Sequence, residues 1–188
     1  PAARYEVTGS GYAPLGGLRT EDGAHVSLDA DEALRWTVIV GAACNDAALT
    51  EHKGRWQIVG DPTEGAMVVV AAKAGFEPDE IGRTYPRRAA IPFSSERQYM
   101  ATLHEDKTDG RHGGRIVFAK GSVERMMQLC GTRMRADGTS EPLRSTEILA
   151  AADELASEGL RVLATAVRPG PRNGEFTEHT LPGELILT

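Results

Sequence analysis

Glu64 stands in the hexapeptide GDPTEG at residues 60–65, where its carboxylate could serve either the chain itself or a ligand. Asp61 can accept a backbone N–H as the N-cap of a helix, and Pro62 has the fixed φ suited to the first helical position. Glu64, three residues after the cap, can reach back to the N–H of the cap residue. This interpretation is complete without a ligand, so the local pattern alone favours a helix start.

An aromatic ring and a guanidinium lie together in the stretch AIPFSSERQYM at 90–100. Phe93 follows a proline and precedes a polar turn. Its ring either folds into the core or offers a face to a planar base, a contact worth roughly 1–3 kcal/mol. Arg97 suits phosphate oxygens and suits a surface carboxylate equally well. These residue types allow nucleotide binding without requiring it.

Two further cations lie in strand-like stretches. In the stretch FAKGS at 118–122 a strand ends in Lys120 beside a glycine, and a lysine at a strand end is usually solvated. At a cleft it could instead lie along an anionic ligand, while Gly121 lets that ligand approach the backbone. Arg161 stands in the apolar run GLRVLATAV at 159–167, so we expect it to need a partner, either an internal carboxylate or a phosphate.

The elements that position these residues follow from the hydrophobic pattern. Short strands are predicted at 5–9, 56–60, 88–93, 98–104, 115–121, 160–167 and 184–188. Helices are predicted to begin after Asp29, at Asp61, near Ser122 and at Ser145, the last ending at Gly159. Only SSER separates 88–93 from 98–104, so these strands must form an antiparallel hairpin. The pattern predicts an α+β domain.

Length and composition favour a single domain over residues 1–188. A hydrophobic content of 40% is enough for one full core and marginal for two. Apolar runs such as AMVVVAA are far shorter than the roughly 20 residues that a membrane-spanning helix needs. The chain begins PAARYEV, without an initiator Met or a targeting pattern, so we expect a piece of a larger protein. Cys44 and Cys130 are expected to be inert, buried and reduced.

The charge is unevenly distributed. The net charge is −6, yet residues 83–135 hold eleven Lys/Arg against five Asp/Glu. This asymmetry suggests an anionic partner. Alternatively, a long solvated hairpin at 104–115 simply collects charge of both signs.

Several catalytic patterns are absent from the sequence. It contains neither GxxxxGK[ST] nor GxGxxG, so a glycine-rich phosphate cradle is not predicted. The five histidines have no metal-ligand spacing, and no GxSxG surrounds a serine. Nucleotide binding would therefore rest on stacking and side-chain contacts, and self-contained catalysis is not expected.

Six stretches in order resemble one family: VTGSGYAPLG (7–16), ACNDAAL (43–49), GDPTEGAM, PFSSERQYM, FAKGS and GLRVLA. Together they resemble the nucleotide-binding domain of the P-type cation-transporting ATPases, of the calcium-pump-like second class. The resemblance covers nearly the whole chain. It implies a mostly antiparallel twisted sheet flanked by helices, which holds ATP by its adenine end and swings to present the γ-phosphate to an aspartate in a separate phosphorylation domain.

The resemblance also implies a set of binding residues. The match to Glu64 faces the adenine amino group, and the match to Phe93 stacks on the ring. The matches to Lys120 and Gly121 line the base and sugar pocket. The remaining implied binding residues are Asp61, which supports the pocket, Ser94, Arg97 and Gln98 in the turn after the ring, and Arg161 and Leu163 beside the phosphates and the base.

One position departs from the family pattern. Where the family commonly has Arg-Lys, this chain has Arg97 followed by Gln98, so a neutral amide replaces a cation near the phosphates. A charge-assisted hydrogen bond is worth roughly 1.5–3 kcal/mol, which predicts weak ATP binding for the class.

The family's phosphorylated aspartate lies in an Asp-Lys-Thr-Gly motif that this chain lacks; DKTD at 106–109 is a near-miss to which we assign no role. The resemblance therefore implies an inactive fragment with no catalytic or metal-ligating residue of its own. Mg²⁺ would bind the phosphates and the acceptor carboxylate. The implied partners are ATP and the phosphorylation and actuator domains of a parent chain, with no nucleic acid and no direct membrane contact. The implied location is the cytoplasmic side of an integral membrane protein, in the plasma membrane, with calcium the leading transported ion.

Two other interpretations remain open. A nucleic-acid or polyanion-binding module could use the basic segment at 83–135, with an affinity that falls steeply with salt. The chain could also be an interdomain contact module that does not bind nucleotide.

Overall fold

The computed structural model describes residues 3–77, 79–108, 114–171 and 175–188. Their strands are β1 (Tyr5–Val7), β2 (Leu18–Thr20), β3 (Ala48–His52), β4 (Arg55–Val59), β5 (Arg87–Ile91), β6 (Tyr99–Glu105), β7 (Arg115–Gly121), β8 (Cys130–Met134), β9 (Ser140–Pro142), β10 (Ala164–Pro169) and β11 (Leu185–Leu187). Their α-helices are α1 (Glu32–Ala43), α2 (Pro62–Lys73), α3 (Glu80–Thr84), α4 (Val123–Leu129) and α5 (Ser145–Ser157).

Seven of these strands form one sheet in the order β5-β6-β7-β10-β11-β8-β9. All neighbouring pairs are antiparallel except β11 and β8, which are parallel. The predicted hairpin between β5 and β6 is present, with Ile91 opposite Ala101. The α+β fold, an antiparallel-rich sheet flanked by helices, is confirmed. Two small antiparallel ribbons, β1-β2 and β3-β4, accompany the sheet.

Both faces of the central strands β6 and β7 are buried, and side chains along β6 alternate between two cores. Met100 packs into the first core with Phe118 and the aromatic ring of Trp36 from α1. Tyr99 packs into the second core, which includes Met126 of α4. The alternation assigns every β6 and β7 side chain to one of two faces of the sheet. Site residues on opposite faces therefore cannot meet.

Side-chain caps fix where the helices begin. Asp61 caps α2 and Ser122 caps α4, as predicted. The first helix begins after Asp31 instead of Asp29, because Asp31 Oδ1 accepts the N–H of Leu34 at 2.9 Å. The predicted start of α5 at Ser145 is confirmed, and its end is set by residues 158–160.

The predicted strand at 160–167 is wrong in its first part. Gly159 adopts a φ of +84° after α5, and the N–H of Leu160 returns to the carbonyl of Leu155 at 3.3 Å, which closes the helix. The chain then needs residues 161–163 to turn back toward the sheet, and β10 begins only at Ala164. Arg161 therefore lies in an irregular, exposed segment, not within an apolar strand.

The two cysteines are free and buried, as expected. Burial raises the pKa of the Cys44 thiol to about 11 and that of Cys130 to about 12. Both thiols stay protonated and unreactive near neutral pH.

Within the described ranges, no helix combines the length and the apolar character needed to cross a bilayer. The predicted hairpin at 104–115 has its arms in β6 and β7, whereas residues 109–113 of its tip lie outside the described residues.

Candidate functional site

The register of the sheet brings most of the predicted site residues to one end of four adjacent strands. Gly121, the last residue of β7, lies between Tyr99 at the start of β6 and Ala164 at the start of β10. Strand β5 ends at this same edge, because Ile91 pairs with Ala101 near the start of β6. The predicted residues at this end are Phe93, Ser94, Gln98, Lys120, Gly121 and Leu163.

Lys120 and Glu64 form a largely buried ion pair at this end of the sheet. The distance from Lys120 Nζ to Glu64 Oε1 is 2.8 Å, and the two side chains are 7% and 20% exposed. The usual behaviour of a strand-end lysine, a solvated ammonium, is therefore not seen. Little water reaches the ammonium, so the carboxylate of Glu64 is needed to balance its charge.

The first turn of α2 carries both Glu64 and its cap. Asp61 Oδ1 accepts the N–H groups of Thr63 at 2.8 Å and of Glu64 at 3.1 Å. The expected bond from Glu64 back to the N–H of Asp61 is replaced, because the Glu64 oxygens accept from Lys120 and from the N–H of Asp46, the latter at 3.2 Å. Asp61 is thus the cap, and the Glu64 carboxylate points toward the strand ends.

Arg161 lies near the cap of α2. The N–H of Glu64 lowers the pKa of Asp61 most strongly, and the positive charge of Arg161 lowers it further. The influence of Arg161 on Asp61 is the weakest of the contributions to this pKa, so the expectation of a carboxylate or phosphate partner for Arg161 stays a prediction. Asp61 and Arg161 are both exposed, so solvent reaches the two charges.

Phe93 is not part of either core, because 57% of the residue is exposed. It lies between the end of β5 and a tight turn that closes with the N–H of Gln98 on the carbonyl of Ser94 at 2.7 Å. More than half of the residue therefore remains open to solvent at the strand ends.

The Arg97 guanidinium lies on the face of the sheet that carries the second core, opposite to the face of Lys120. It bonds the carbonyl of Pro92 at 2.6 Å and forms an ion pair with Glu178. It also lies over the ring of Tyr99, at 5.9 Å from the centroid, and Tyr99 belongs to the second core. The structure thus uses Arg97 to hold the turn and does not bring its guanidinium to Lys120, whose strand neighbours face the first core.

Gly121 and Gln98 support each other across the strand ends. A Cβ on Gly121 would lie 2.5 Å from the carbonyl oxygen of Gln98 and 2.6 Å from Cβ of Tyr99. Glycine is therefore needed for the packing of β7 on β6, apart from any ligand. Gln98 has a φ of +59°, and its carbonyl accepts the N–H of Ser122 at 3.0 Å.

The loop after α1 contains residues to which the sequence assigned no role. Asn45 Nδ2 donates to the carbonyl of Glu64 at 2.8 Å and to that of Gly41 at 2.9 Å, which ties the end of α1 to the first turn of α2. The next residue, Asp46, donates its N–H to Glu64. The motif ACNDAAL flagged this loop, and an asparagine after a helix is typical of side-chain bonds to backbone.

Two cavities of about 290 and 300 Å³ lie elsewhere in the molecule. The first is lined by residues such as His25 and Phe76, and the second lies between Tyr12 and Lys73. Neither is lined by Glu64, Phe93 or Lys120. We therefore define the candidate site by its side-chain chemistry and by the strand register.

Much of the basic segment at 83–135 is neutralised by carboxylates. Arg87 pairs with Asp46, Lys120 with Glu64 and Arg97 with Glu178, all acids from outside the segment. Arg133 and Arg135 share Glu141, also outside it, and Arg88 pairs with Glu105 inside it. The excess of positive charge that the sequence indicates is thus largely compensated in the fold.

The fold and the site together define a class of protein. Residues 34–184 match the family described as P-type ATPase, cytoplasmic domain N. This match covers well over half of the chain, and the chain belongs to that family. The resemblance inferred from the ordered motifs is confirmed.

Several relatives are larger cation-transporting ATPases. The chain is 54% identical over 189 residues to the probable cation-transporting ATPase F of Mycobacterium tuberculosis, covering 100% of the chain and 20% of that protein. It is 42% identical over 167 residues to the cation-transporting ATPase pma1 of Synechocystis, covering 86% and 18%. It is 34% identical over 178 residues to the calcium-transporting ATPase type 2C member 1 of Bos taurus, covering 93% and 17%. The chain spans about a fifth of the length of these curated relatives.

Proposed function

We propose that this chain binds ATP by its adenine end and delivers it to the phosphorylation domain of a P-type cation-transporting ATPase. The observation that carries the proposal is the largely buried Lys120–Glu64 pair, which lies at the same strand ends as the exposed ring of Phe93. An aromatic face, a carboxylate acceptor and a nearby cation are the groups that recognise an adenine nucleotide.

Each residue has a physical role in this proposal. Phe93 stacks on the base. Glu64 accepts from the adenine amino group, because a carboxylate has about four acceptor positions and its present bonds to Lys120 and Asp46 leave some of them free. Lys120 holds the Glu64 carboxylate in place through the 2.8 Å bond from its Nζ. Leu163, half-buried just before β10, adds apolar surface beside the base.

The phosphate end of the nucleotide would extend toward the exposed guanidinium of Arg161. Ser94 and Gln98 border the site from the turn after Phe93, and neither brings a positive charge. The cationic field for the phosphates is therefore weak in this chain, which supports the expectation of low ATP affinity. Mg²⁺ would travel with the phosphates; among the described residues, no group of three or more His, Cys, Asp or Glu could hold a metal ion.

The work of the domain is positioning. Phosphoryl transfer depends mainly on alignment and electrostatic stabilisation, so a domain that holds the base and moves as a unit contributes by orienting the γ-phosphate. The acceptor aspartate would lie in another domain of a parent membrane ATPase, at the cytoplasmic side of the plasma membrane, and the actuator domain would be a further partner. On its own this chain would not turn over ATP.

The experiment that tests the proposal is an NMR titration of the 188-residue chain with ATP, GTP and adenosine at two salt concentrations. We expect the amide signals of Glu64, Phe93 and Gly121 to shift with adenosine as well as with ATP. GTP should bind more weakly, because guanine presents a carbonyl where adenine presents the amino group that faces Glu64.

The outcome that contradicts the proposal is equally specific. A polyanion-binding module would ignore adenosine, would treat ATP and GTP alike and would lose affinity steeply with salt. An interdomain contact module would respond to none of the three. The compensated charge of the segment at 83–135 favours ATP binding over the polyanion alternative.

A further inference from the structure

Arg87 makes a set of bonds that reaches from the start of β5 to the loop after α1. One guanidinium nitrogen lies 2.6 Å from Asp46 Oδ1. The other bonds the carbonyl oxygen of Asn45 and lies 3.3 Å from that of Ala43. A single planar group thus holds one acceptor at the end of α1 and two in the loop that follows, which a flexible ammonium cannot reproduce.

The peptide unit between Asn45 and Asp46 connects these bonds to the candidate site. Its carbonyl accepts from Arg87, and its N–H donates to Glu64 Oε2 at 3.2 Å. In a trans peptide the C=O and N–H point in opposite directions within one plane. Arg87 and Glu64 therefore bind opposite sides of the same peptide unit.

We propose that Arg87 is a positioning residue for Glu64, acting through the peptide between Asn45 and Asp46. The guanidinium fixes the plane of this peptide and, by bonding its carbonyl, strengthens the N–H as a donor. Glu64 is then held between the N–H of Asp46 and Lys120, in one orientation. The inference rests on the proposed function, since it assigns Arg87 a part in how that site recognises the adenine amino group.

Arg88 supplies a matched control. It is the next residue on the same strand and has the same charge, but its guanidinium pairs with Glu105 on the neighbouring strand. Replacing either arginine with glutamine changes the net charge equally. Only Arg87→Gln removes the bonds to the loop after α1.

The experiment measures adenosine and ATP affinity by calorimetry for the wild-type chain, R87Q, R88Q, E64Q and the double variant R87Q/E64Q. Thermal unfolding of each variant is recorded in parallel. We expect R87Q to weaken adenosine binding about tenfold, the scale of one charge-assisted hydrogen bond. R88Q should change the adenosine affinity by less than about twofold, as expected of a surface ion pair. In the E64Q background, R87Q should lower the adenosine affinity by less than about twofold, because Glu64 is no longer there to be positioned.

A spectroscopic readout separates positioning from a general structural role. The Asp46 amide proton should lose its hydrogen-bonded chemical shift in R87Q and keep it in R88Q. If R87Q does not fold, R87K carries the test. Its ammonium keeps a charge near Asp46 but cannot bond both the carboxylate of Asp46 and the carbonyl of Asn45. We expect R87K to bind adenosine more weakly than the wild type.

Three results overturn the inference. The first is equal adenosine affinity in R87Q and R88Q, or in R87K and the wild type where R87Q does not fold. The second is an undiminished cost of R87Q in the E64Q background. Both leave the proposed function standing if the wild type binds adenosine and E64Q binds it more weakly. The third is a wild-type chain that fails to bind adenosine, which removes the proposed function and this inference together.

Discussion

Asp61 and Glu64 divide two tasks that the local sequence pattern gives to one helix start. Asp61 alone satisfies the first N–H groups of α2, and its exposed carboxylate stays near Arg161. Glu64 is thereby free to pair with Lys120. The sequence pattern makes Glu64 half of a capping box, but its carboxylate is directed into the site. Only its contact with Lys120 of β7 distinguishes the capping role from the site role.

Because the ring of Phe93 is exposed, its removal should lower ATP affinity without lowering the stability of the fold. Phe93→Ala should weaken ATP binding by about 1–3 kcal/mol, because the base loses its stacking partner. The melting temperature should hardly change, since the ring contributes to neither core. Calorimetric titration checks the affinity. Leu15→Ala, which truncates a side chain that is 72% exposed, is the control and should leave affinity unchanged. Equal ATP affinity in Phe93→Ala and the wild type would show that the ring does not stack on the base.

The neutral side chain of Gln98 predicts a gain of affinity on substitution. Gln98→Lys restores a cation beside the turn and should tighten ATP binding roughly tenfold, the lower end of a charge-assisted hydrogen bond. Adenosine has no phosphates, so its affinity should not change and serves as the internal control. Unchanged ATP affinity would mean that the missing charge is not what weakens binding.

At the scale of elements, α2 is positioned by close packing against the β3-β4 ribbon. A Cβ added to Gly65 would lie 2.4 Å from Cγ2 of Ile58 in β4. The helix and the ribbon approach closely because this residue has no side chain. Gly65 directly follows Glu64, so the same contact sets the height of the carboxylate above the strand ends.

Gly65→Ala should therefore destabilise the chain by about 1–3 kcal/mol, the cost of overpacking, and should weaken ATP binding by displacing Glu64. Gly82→Ala in α3 is the matched control, because a Cβ added there would have no neighbouring atom within 4 Å. This control should be neutral or stabilising by about 0.5–1 kcal/mol, since alanine favours a helix. Urea unfolding measures the stability of both variants. An equal change in the free energy of unfolding of Gly65→Ala and Gly82→Ala would contradict the packing argument.

Sequence patterns predict the elements whose signals are local and miss those whose signals are not. Asp61 and Ser122 indicate α2 and α4 because a cap acts within one turn. Strand β8 is not predicted, because it follows α4 directly, without a turn residue to separate them. The predicted strand at 160–167 extends too far because GLRVLATAV has a continuous apolar pattern, whereas the closing of α5 requires its first residues.

The site shows the same division. Glu64, Phe93 and Lys120 are recognisable from ordered motifs, and the register brings Phe93 and Lys120 to one end of the sheet. The bonds from Arg87 to the loop at residues 43–46 are not predictable from the pattern, because they join residues about forty positions apart and depend on how β5 and α1 pack. Arg97 suits a phosphate and a carboxylate equally, and only the fold shows that Glu178 is within reach.

At the scale of the whole molecule, a buried histidine links stability to pH. His104 lies against Phe118 of the first core, where Nδ1 donates to the carbonyl of Tyr85 at 2.7 Å and Nε2 accepts from the hydroxyl of Thr102 at 2.7 Å. Burial lowers its pKa from 6.5 to about 4. Below pH 6.5 the unfolded chain takes up a proton that the folded chain refuses, so stability falls between pH 6.5 and 4.

We expect His104 to reduce the free energy of unfolding by about 2 kcal/mol between about pH 7 and pH 5. Urea unfolding at both pH values measures this loss. In His104→Gln the difference between the two pH values should shrink by that amount, whatever the absolute stability of the variant. His52→Gln, at an exposed position, is the control and should keep the wild-type difference. An unaltered pH difference in His104→Gln would show that another group is responsible.

The place of β11 between β10 and β8 has a consequence for how the protein is made. Strands β5, β6, β7 and β10 can pair with one another as the nascent chain leaves the ribosome, and so can β8 with β9. The backbone ladder that unites these two groups runs through Leu185–Leu187, so it closes only after those residues have emerged. Until then the candidate site rests on a sheet whose edge at β10 has unpaired backbone groups, the kind of edge that favours aggregation.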